Sequence, residues 1–282
     1  MININGYGSV KPLLKWAGGK RQIINELYKR IPEKFNYYYE PFAGGASFLI
    51  HLYNNNLIKY GAISDLNGEL INFYNVIKYN LNEFLEEEKK DNLPNNIEYY
   101  NLRDEYNDII GDNNYKIRRA VLFLYFNKHA YNGLWRVNSN NKFNVPFGKY
   151  KNVNMFDYNN IYNFSIMLKN INIFNSDFET VVKEAKENDF VYFDPPYQPL
   201  NKTSYFTGYT KNGFDYDEQK RLFKVFKGLA DKNVNVMLSN SYNEKMLELY
   251  NEFNINIVNV NRFINSDASK RTGLKEIIVT NY

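Results

Sequence analysis

The segment Asp194-Pro195-Pro196-Tyr197 carries the clearest chemical pattern in the chain, and it follows directly after the apolar run at 190–193. Proline fixes φ and has no amide donor, so this loop is stiff and rich in hydrogen-bond acceptors. A carboxylate, a rigid backbone carbonyl and an aromatic ring therefore lie together at the end of a segment typical of a buried strand. This set of groups suits the binding of a planar exocyclic amino group.

A second pattern is the glycine-rich segment EPFAGGA at residues 40–46, between a short β-prone run and an apolar helical stretch. Glycines at a strand-to-helix turn let a ligand approach the backbone at the carboxyl edge of a sheet. Asp65 ends the next β-prone run, and an acid roughly 20 residues after such a turn can bind both hydroxyls of a ribose. The G-x-G-x-x-G fingerprint itself is missing, so this pattern favours a nucleoside ligand without identifying it.

A third pattern is KWAGGK at residues 15–20, just before a helical stretch. It is not a phosphate-binding P-loop, because Leu14 occupies the place of the first glycine and Arg21 the place of the Ser or Thr. A glycine pair at a helix start still exposes backbone amides that can hold an anion or a carboxylate. Taken alone, the segment is equally typical of an ordinary turn before a helix.

The composition excludes several classes of chemistry. The 282 residues include no cysteine, which rules out a disulfide framework, a cysteine nucleophile and thiolate zinc sites. Histidine occurs only at His51 and His129, which argues against a His-based metal site or a Ser-His-Asp triad. No stretch reaches about 18 consecutive apolar residues, so we expect no membrane segment. Because the N-terminal segment is polar and lacks the apolar run of a signal peptide, a cytoplasmic protein is the simplest interpretation.

Charge and aromatic content permit nucleic-acid binding without demanding it. The net charge is +4 and the pI is 8.8, below the value of about 9 that marks a strongly basic nucleic-acid-binding domain. Aromatic residues reach 17% of the chain. The codon usage of an AT-rich genome is the main explanation of this content, and stacking surfaces for nucleic-acid bases are the alternative.

The order of the predicted elements places the three motifs in an α/β fold. Short β-prone runs alternate with helical stretches in residues 1–67 and again in 161–282, which indicates βαβ units and a Rossmann-like sheet. Residues 68–160 consist mainly of charge-rich helical segments and one β-hairpin at 135–145. We therefore predict a sheet-containing domain with an inserted helical subdomain, and a polar loop at 262–273. The predicted strands are 37–40, 60–64, 171–174, 190–193, 234–238, 255–260 and 276–280. The predicted helices include 20–30, 69–78, 81–90, 97–107, 115–129, 178–186, 215–230 and 243–250.

Four segments span nearly the whole chain in one order: KWAGGK (15–20), EPFAGG (40–45), NGLWRVN (132–138) and DPPY (194–197). Together they resemble the Dam-type DNA adenine methyltransferases, which methylate adenine in duplex DNA from S-adenosylmethionine. The resemblance implies a Rossmann-like methyltransferase domain that binds this cofactor (1–67 and 161–282) and an inserted target-recognition domain carrying the hairpin (68–160). It also implies a base that is flipped out of the duplex, GATC as the target sequence, and no metal.

The resemblance further implies roles for individual residues. Asp194 and the Pro195 carbonyl would accept hydrogen bonds from the target amino group, and Tyr197 would stack on the base. Asp65 would bind the ribose hydroxyls of the cofactor, and Asp177 and Phe178 would contact its adenine. The positions that match cofactor-binding residues of the family are Trp16, Lys20, Glu40, Phe42, Asp65, Asp177, Phe178 and Asp194.

Duplex DNA is the partner that the resemblance implies. Lys15 matches a lysine that contacts the first base of the site, and Tyr131 matches a residue that fills the disrupted duplex. The positions that match DNA-binding residues of the family are Lys15, Tyr131, Asn132, Leu134, Arg136, Asn138 and Pro146. A cognate restriction endonuclease that acts separately would be a further partner, and the sequence does not reveal whether one exists.

Two alternative functions stay open at this point. A methyltransferase could act on RNA adenine, cytosine N4 or a protein amide with a similar pocket. The presence of Asp rather than Asn or Ser at position 194, before the two prolines, together with the hairpin motif, favours DNA adenine. A nucleic-acid-binding protein that has lost catalysis is the second alternative. The intact Asp194, Tyr197, Gly44 and Gly45 argue against it.

Overall fold

A seven-stranded sheet forms the centre of the structure, a computed structural model that describes residues 8–90, 96–150, 153, 156–197, 214–260 and 274–282. The strands are β1 (Tyr38–Glu40), β2 (Gly61–Ser64), β3 (Ile171–Phe174), β4 (Phe190–Phe193), β5 (Asn235–Ser241), β6 (Asn254–Val260) and β7 (Leu274–Thr280). The helices are α1 (Ile24–Tyr28), α2 (Ser47–Asn54), α3 (Gly68–Tyr79), α4 (Leu81–Glu88), α5 (Asn96–Ile109), α6 (Lys116–His129), α7 (Tyr158–Leu168), α8 (Phe178–Val182), α9 (Tyr216–Ala230) and α10 (Glu244–Leu249). Short 3-10 helices lie at Lys20–Gln22, Asn113–Tyr115 and Tyr131–Gly133.

The strand order, β3-β2-β1-β4-β5-β7-β6, decides where a ligand can bind. β1 pairs in parallel with both β2 and β4, so the order of the strands reverses beside β1. In open α/β sheets, ligands bind at such a reversal, outside the carboxyl ends of the strands. Glu40 is the last residue of β1 and Asp194 directly follows β4. Two of the three motifs therefore meet at the reversal.

Apolar side chains cover both faces of the sheet, as expected for parallel strands packed between helices. In β1, Tyr38 packs into one core and Tyr39 into the other, and β4 alternates in the same way with Tyr192 and Phe193. Residues of α2 to α7 contribute to the first core, and residues of α8 to α10 contribute to the second. Because dense packing fixes the strands from both sides, the residues at their carboxyl ends stand on a rigid support.

The seven predicted strands all occur, and the α/β fold is confirmed. β5 extends to Ser241, three residues beyond its prediction, and β7 is antiparallel to both of its neighbours. The predicted helix at 20–30 was wrong as one continuous element, because Ile23 has φ −106° and ψ 5° and separates the first 3-10 helix from α1. The predicted helix at 178–186 ends at Val182. The predicted loop at 262–273 lies outside the described residues.

The hairpin predicted at 135–145 occurs only as isolated antiparallel pairs. Val137 pairs with Phe143, and Ala130 pairs with Phe147. Within residues 130–147, all of which the structure describes, no continuous strand forms. The segment is instead held by its core residues, since the rings of Trp135 and Phe143 are buried with centroids 5.0 Å apart.

The helical region after β2 shares a hydrophobic core with the sheet. The sequence did not predict α7, which begins at Asp157 as its N-cap and crosses the predicted boundary at 160–161. The domain limits of 1–67, 68–160 and 161–282 stay a prediction. Among the described residues, none of the helices combines the length and the apolar character that crossing a membrane needs.

Candidate active site

Three acidic side chains stand at the carboxyl ends of neighbouring parallel strands. Glu40 ends β1, Asp65 follows β2 and Asp194 follows β4. The register of β1 with β4, Tyr38 opposite Phe190 and Tyr39 opposite Val191, brings the ends of these strands side by side. The motifs at 40–45 and 194–197 are therefore joined by strand pairing, although about 150 residues separate them in sequence.

The Asp194 carboxylate contacts two polar side chains, Lys20 and Ser239, and the sequence motifs predicted neither contact. Its Oδ1 is 2.7 Å from the Lys20 Nζ and accepts a hydrogen bond from the Ser239 Oγ at 3.0 Å. The Ser239 hydroxyl is in turn 2.8 Å from the Tyr192 hydroxyl. Burial raises the pKa of the Asp194 carboxyl, and the Lys20 ammonium offsets part of that rise.

The Lys20 ammonium also lies over the aromatic ring of Tyr197. Its Nζ is 4.5 Å from the ring centroid and donates to the Gly18 carbonyl at 2.9 Å. The cation is thus placed between the carboxylate of Asp194 and the face of Tyr197. Lys20 therefore occupies the space between the two side chains that the sequence predicts to bind the target base.

The loop at 194–197 is held from behind by residues on other elements. The Tyr197 hydroxyl donates to Glu276 Oε2 of β7 at 2.7 Å, and burial raises the pKa of this hydroxyl. The Pro196 carbonyl accepts from Gln219 Nε2 of α9 at 3.3 Å. Sequence reasoning missed Ser239, Glu276 and Gln219, because they come from segments without a local motif and only the sheet order brings them to this loop.

The glycine turn after β1 contacts Asp65 through its backbone. The Gly44 amide donates to Asp65 Oδ2 at 3.1 Å, and the Asn67 amide donates to Oδ1 at 2.9 Å. Burial raises the pKa of Asp65, and these two amides offset part of the rise. Gly44 has φ +44°, and a Cβ built there would lie 2.7 Å from Cδ1 of Trp16. The turn therefore requires glycine, and Trp16 lies directly against it.

The carboxyl group of Glu40 faces inward. It is buried and its Oε2 accepts from the Tyr38 hydroxyl at 2.8 Å and from the Leu49 amide at 3.0 Å. Burial raises the pKa of Glu40 to about 8, and the negative charge of Asp194 adds to the rise. At neutral pH the group is mostly protonated, and its contacts tie β1 to the first turn of α2.

An aromatic cluster beside the second core holds two more of the predicted cofactor residues. The rings of Phe42 and Phe178 are stacked at 5.3 Å, and Phe214 contacts both. Asp177 caps α8 by accepting from the Glu179 amide. Phe178 and Phe214 are buried, so the half-buried Phe42 is the accessible ring of this cluster, and the Asp177 carboxylate lies at its edge.

Arg221 of α9 holds that carboxylate with two hydrogen bonds. Its Nη1 and Nη2 lie 2.8 and 2.7 Å from the two oxygens of Asp177, and its guanidinium carbon lies 4.0 Å from the centroid of the Phe178 ring. The hydrogen bonds from Arg221 hold the pKa of Asp177 below its ordinary value. No motif in the sequence marks Arg221, which lies in the middle of a helix without a local signal.

The arrangement fits a nucleoside, with the Asp65 carboxylate for the sugar and the aromatic cluster beside Asp177 for the base. A carboxylate has about four acceptor positions, so Asp65 can accept from sugar hydroxyls while it keeps its two backbone contacts. Glycines at the turn allow the ligand to approach closely. Among the residues that the structure describes, no three His, Asp or Glu side chains form a group that could hold a metal ion.

The structure brings Lys15 next to the segment at 131–150. The Lys15 backbone is paired with the side chain of Asn127 through two hydrogen bonds of 2.7 Å. Its Nζ lies 4.8 Å from the ring centroid of Tyr150, whose hydroxyl accepts from the Asn132 amide at 2.9 Å. Tyr131 is exposed, and its amide donates to the carbonyl of the exposed Pro146. These predicted DNA-binding residues therefore share one surface.

The side chains of the remaining hairpin residues have local partners. Arg136 is exposed and donates from Nε to Asn144 Oδ1 at 2.7 Å and from Nη2 to the Asn144 carbonyl at 3.3 Å. Asn138 Oδ1 accepts from the Asn140 and Lys142 amides and so closes the turn. Leu134 is half-buried against the first core. The guanidinium has five N–H donors, and the contacts with Asn144 use two of them.

Comparison with known proteins adds an independent line of evidence. Residues 16–264 match the family of D12 class N6 adenine-specific DNA methyltransferases. The chain is 43% identical over 277 residues to the type II methyltransferase M1.LlaDCHI of Lactococcus lactis subsp. cremoris, covering 97% of this chain and 96% of that protein. It is 41% identical over 293 residues to the type II methyltransferase M.MjaIII of Methanocaldococcus jannaschii, covering 97% and 99%. It is 33% identical over 271 residues to the DNA adenine methylase of Escherichia coli K12, covering 95% and 94%.

Proposed function

Because the chain belongs to the D12 class of N6 adenine-specific DNA methyltransferases, we propose that it moves a methyl group from S-adenosylmethionine to the N6 amino group of an adenine flipped out of duplex DNA. The observation that carries this proposal is the placement of Asp194 and Tyr197 beside the end of β1, at the reversal of the strand order. We further propose GATC as the target sequence, on the strength of the motif at 132–138.

The described residues fit S-adenosylmethionine, which supplies an electrophilic methyl group on a sulfonium cation. Asp65 would accept from the ribose hydroxyls, and the Phe42 and Phe178 cluster would receive the adenine, with Asp177 accepting from its amino group. Trp16 borders the same glycine turn. The carboxylates of Asp65 and Asp194 would attract the positive charge of the ligand.

Asp194, the Pro195 carbonyl and Tyr197 would act on the target base. The adenine amino nitrogen is a weak nucleophile, because its lone pair is conjugated with the ring. Two acceptors that bind its hydrogens favour a pyramidal nitrogen, and the charge of Asp194 stabilises the positive charge that develops during attack. Flipping costs a few kcal/mol, and stacking on Tyr197 returns about 1–3 kcal/mol of it.

Lys20 would leave the pocket when the base enters. In the structure its ammonium contacts Asp194 and the Tyr197 ring, and both contacts are needed by the base. The amino group would take the place of the ammonium at Asp194, and the adenine ring would take its place over Tyr197. The exchange keeps the carboxylate partnered throughout, so binding of the base does not pass through a buried, unpaired charge.

Recognition would come from the surface around Lys15 and the segment at 131–150. An arginine in the major groove is well suited to bidentate contact with guanine, and Arg136 is exposed at the edge of this segment. Lys15 would contact the first base, and Tyr131 would fill the space left by the flipped adenine. Two relatives are type II methyltransferases, which supports a cognate restriction endonuclease that acts separately on the same sequence.

The test is methyl transfer from radiolabelled S-adenosylmethionine to unmethylated duplex oligonucleotides. We expect transfer to a GATC duplex, no transfer when its adenine is already N6-methylated, and N6-methyladenine as the product in sequencing. Transfer to a duplex with each position of GATC replaced in turn measures the target sequence. Label on cytosine, on RNA alone or on no nucleic acid would overturn the proposal, and transfer to another adenine-containing sequence would overturn GATC alone.

A further inference from the structure

Two fully buried amide side chains lie behind the loop at 194–197, Gln219 of α9 and Asn240 of β5. Gln219 Nε2 donates to the Pro196 carbonyl at 3.3 Å, and its Oε1 accepts from Asn240 Nδ2 at 2.9 Å. Asn240 Oδ1 accepts from the Ser241 amide at 2.8 Å. Because Asn240 fixes which end of the Gln219 amide faces it, the Nε2 donor is directed at Pro196.

The loop needs such a donor because its own backbone has few. Pro195 and Pro196 lack N–H groups, so neither can tie the loop to the sheet as a donor. Carbonyl groups are then the backbone's means of attachment over these two residues. A donor from outside that binds the Pro196 carbonyl fixes the plane of the Pro196–Tyr197 peptide bond. In the proposed function, this plane lies between the Pro195 carbonyl, which accepts from the target amino group, and the Tyr197 ring, which stacks on the base.

A purely structural role does not explain the choice of residues. The two elements that carry this pair otherwise supply apolar side chains to the second core, including Leu222 and Phe226 of α9 and Leu238 of β5. An apolar residue at 219 would fill a similar volume without the cost of burying an amide. Buried polar pairs specify one arrangement of the groups they contact, and here the contacted group is the loop that would bind the base.

We propose that Gln219, oriented by Asn240, is a positioning residue that sets the Pro195 carbonyl and the Tyr197 ring for methyl transfer. This inference rests on the proposed function. It predicts an effect on the rate of transfer in the bound complex rather than on the affinity for cofactor. Neither residue contacts the predicted cofactor residues in the described hydrogen bonds.

The variant Gln219→Met tests it, since it keeps the approximate volume and removes both hydrogen bonds. With saturating DNA and cofactor, we expect single-turnover transfer to slow by about 10- to 100-fold, the scale associated with small misplacements of reacting groups. Calorimetric affinity for S-adenosylmethionine should stay within about twofold of wild type, because the cofactor contacts are unchanged. Asn240→Ala leaves the donor in place and frees its orientation, so we expect a smaller loss of rate in the same direction.

A matched control is Asn281→Leu. Asn281 Oδ1 accepts from the Val236 amide at 2.7 Å and its Nδ2 donates to the Val234 carbonyl at 2.9 Å, at the opposite end of β5. This variant also removes two hydrogen bonds of a side-chain amide from β5. It should lower the melting temperature without slowing transfer. An equal loss of rate in Asn281→Leu and Gln219→Met would mean that the effect is one of stability, and the inference would be wrong.

A double variant separates positioning from an independent contribution. If Gln219 acts through the placement of Tyr197, Gln219→Met should slow transfer much less in a Tyr197→Ala background than in wild type. Fully additive losses would overturn the placement of the Tyr197 ring by Gln219. A wild-type rate in Gln219→Met would overturn the whole inference, whereas failure of the wild-type protein to methylate DNA would overturn the proposed function itself. If Gln219→Met does not fold, the rate of Asn240→Ala decides between the outcomes.

Discussion

The charge of Asp194 gives the sharpest test of the active site, through the variant Asp194→Asn. Asn has nearly the same shape and keeps an acceptor oxygen, so the change removes mainly the negative charge. The matched control is Asp189→Asn. Asp189 lies immediately before β4, and Asp194 lies immediately after it. Asp189 is also buried, and it accepts a hydrogen bond from the Lys186 amide at 2.9 Å. It lies at the amino end of the strand, far from the reacting groups.

The magnitude follows from the burial of the site. The side chains of Lys20 and Asp194 are 7% and 19% exposed, so water screens this carboxylate only in part. With an effective dielectric constant of about 20, unit charges about 4 Å apart interact by about 4 kcal/mol. Only part of a unit charge develops on the amino nitrogen, so we take about 2–4 kcal/mol, in line with the loss of one preorganised electrostatic group. This corresponds to a rate lower by about 30- to 1,000-fold.

The assay is single-turnover transfer at saturating DNA and cofactor, followed over pH. Because burial raises the pKa of Asp194, wild-type activity should fall as the pH drops through that raised pKa and the carboxylate becomes protonated. Asp194→Asn should lose most of the rate of transfer, and its remaining rate should not fall at low pH. Asp189→Asn should keep the wild-type rate and the wild-type fall in rate at low pH. An Asp194→Asn rate within threefold of wild type, or an unchanged fall in rate at low pH, would refute the assignment of the charge to catalysis.

Three further variants test neighbouring features. Tyr197→Phe keeps the stacking ring and loses one hydrogen bond to Glu276, so it should retain transfer to within about tenfold, since a hydrogen bond contributes about 1 kcal/mol; Tyr197→Ala should lose much more, and equal losses would contradict stacking. Arg136→Ala should relax the preference for one guanine of the site, by about 1–3 kcal/mol of discrimination; a uniform loss over all oligonucleotides would show that Arg136 braces the hairpin through Asn144 instead. Arg221→Ala should bring the pKa of Asp177 back toward its ordinary value. It should also weaken the binding of S-adenosylmethionine about fivefold, the equivalent of about 1 kcal/mol. An unchanged affinity in calorimetry would show that Asp177 does not contact the cofactor.

The strands that carry the site were predicted correctly, because each is marked by its local sequence. Apolar runs that end in Glu40, Asp65 and Asp194 identified three strands, because parallel strands buried on both faces have that pattern. The strand reversal then joins their ends. The resemblance to the Dam-type family, on motifs alone, is confirmed by the comparisons. Roles of single residues stay predictions, since they concern ligands.

The parts that sequence reasoning missed depend on contacts between distant segments. Gln219, Ser239 and Glu276 reach the loop at 194–197 from α9, β5 and β7, and no short motif marks them. The contact of Lys20 with Asp194 was also missed, because the two residues lie in motifs that are far apart in sequence and neither motif specifies this pair. Such contacts are decided by strand order and side-chain packing, which a reading of consecutive residues does not contain.

Three acidic side chains at one edge of the sheet lower the stability of the fold, and this indicates that the edge serves a function. Burial raises the pKa of Glu40, Asp65 and Asp194 alike, so each is less stable in its charged form than it would be in water. Glu40 responds by staying mostly protonated, whereas Asp194 has the Lys20 ammonium beside it. Local rules of stability are broken at functional sites more often than elsewhere. The Lys20 ammonium stabilises the charged form of Asp194 in the structure. A ligand that brings positive charge to this edge would stabilise the same carboxylate in place of Lys20. A sulfonium, or an amino group that becomes positive during attack, is such a ligand.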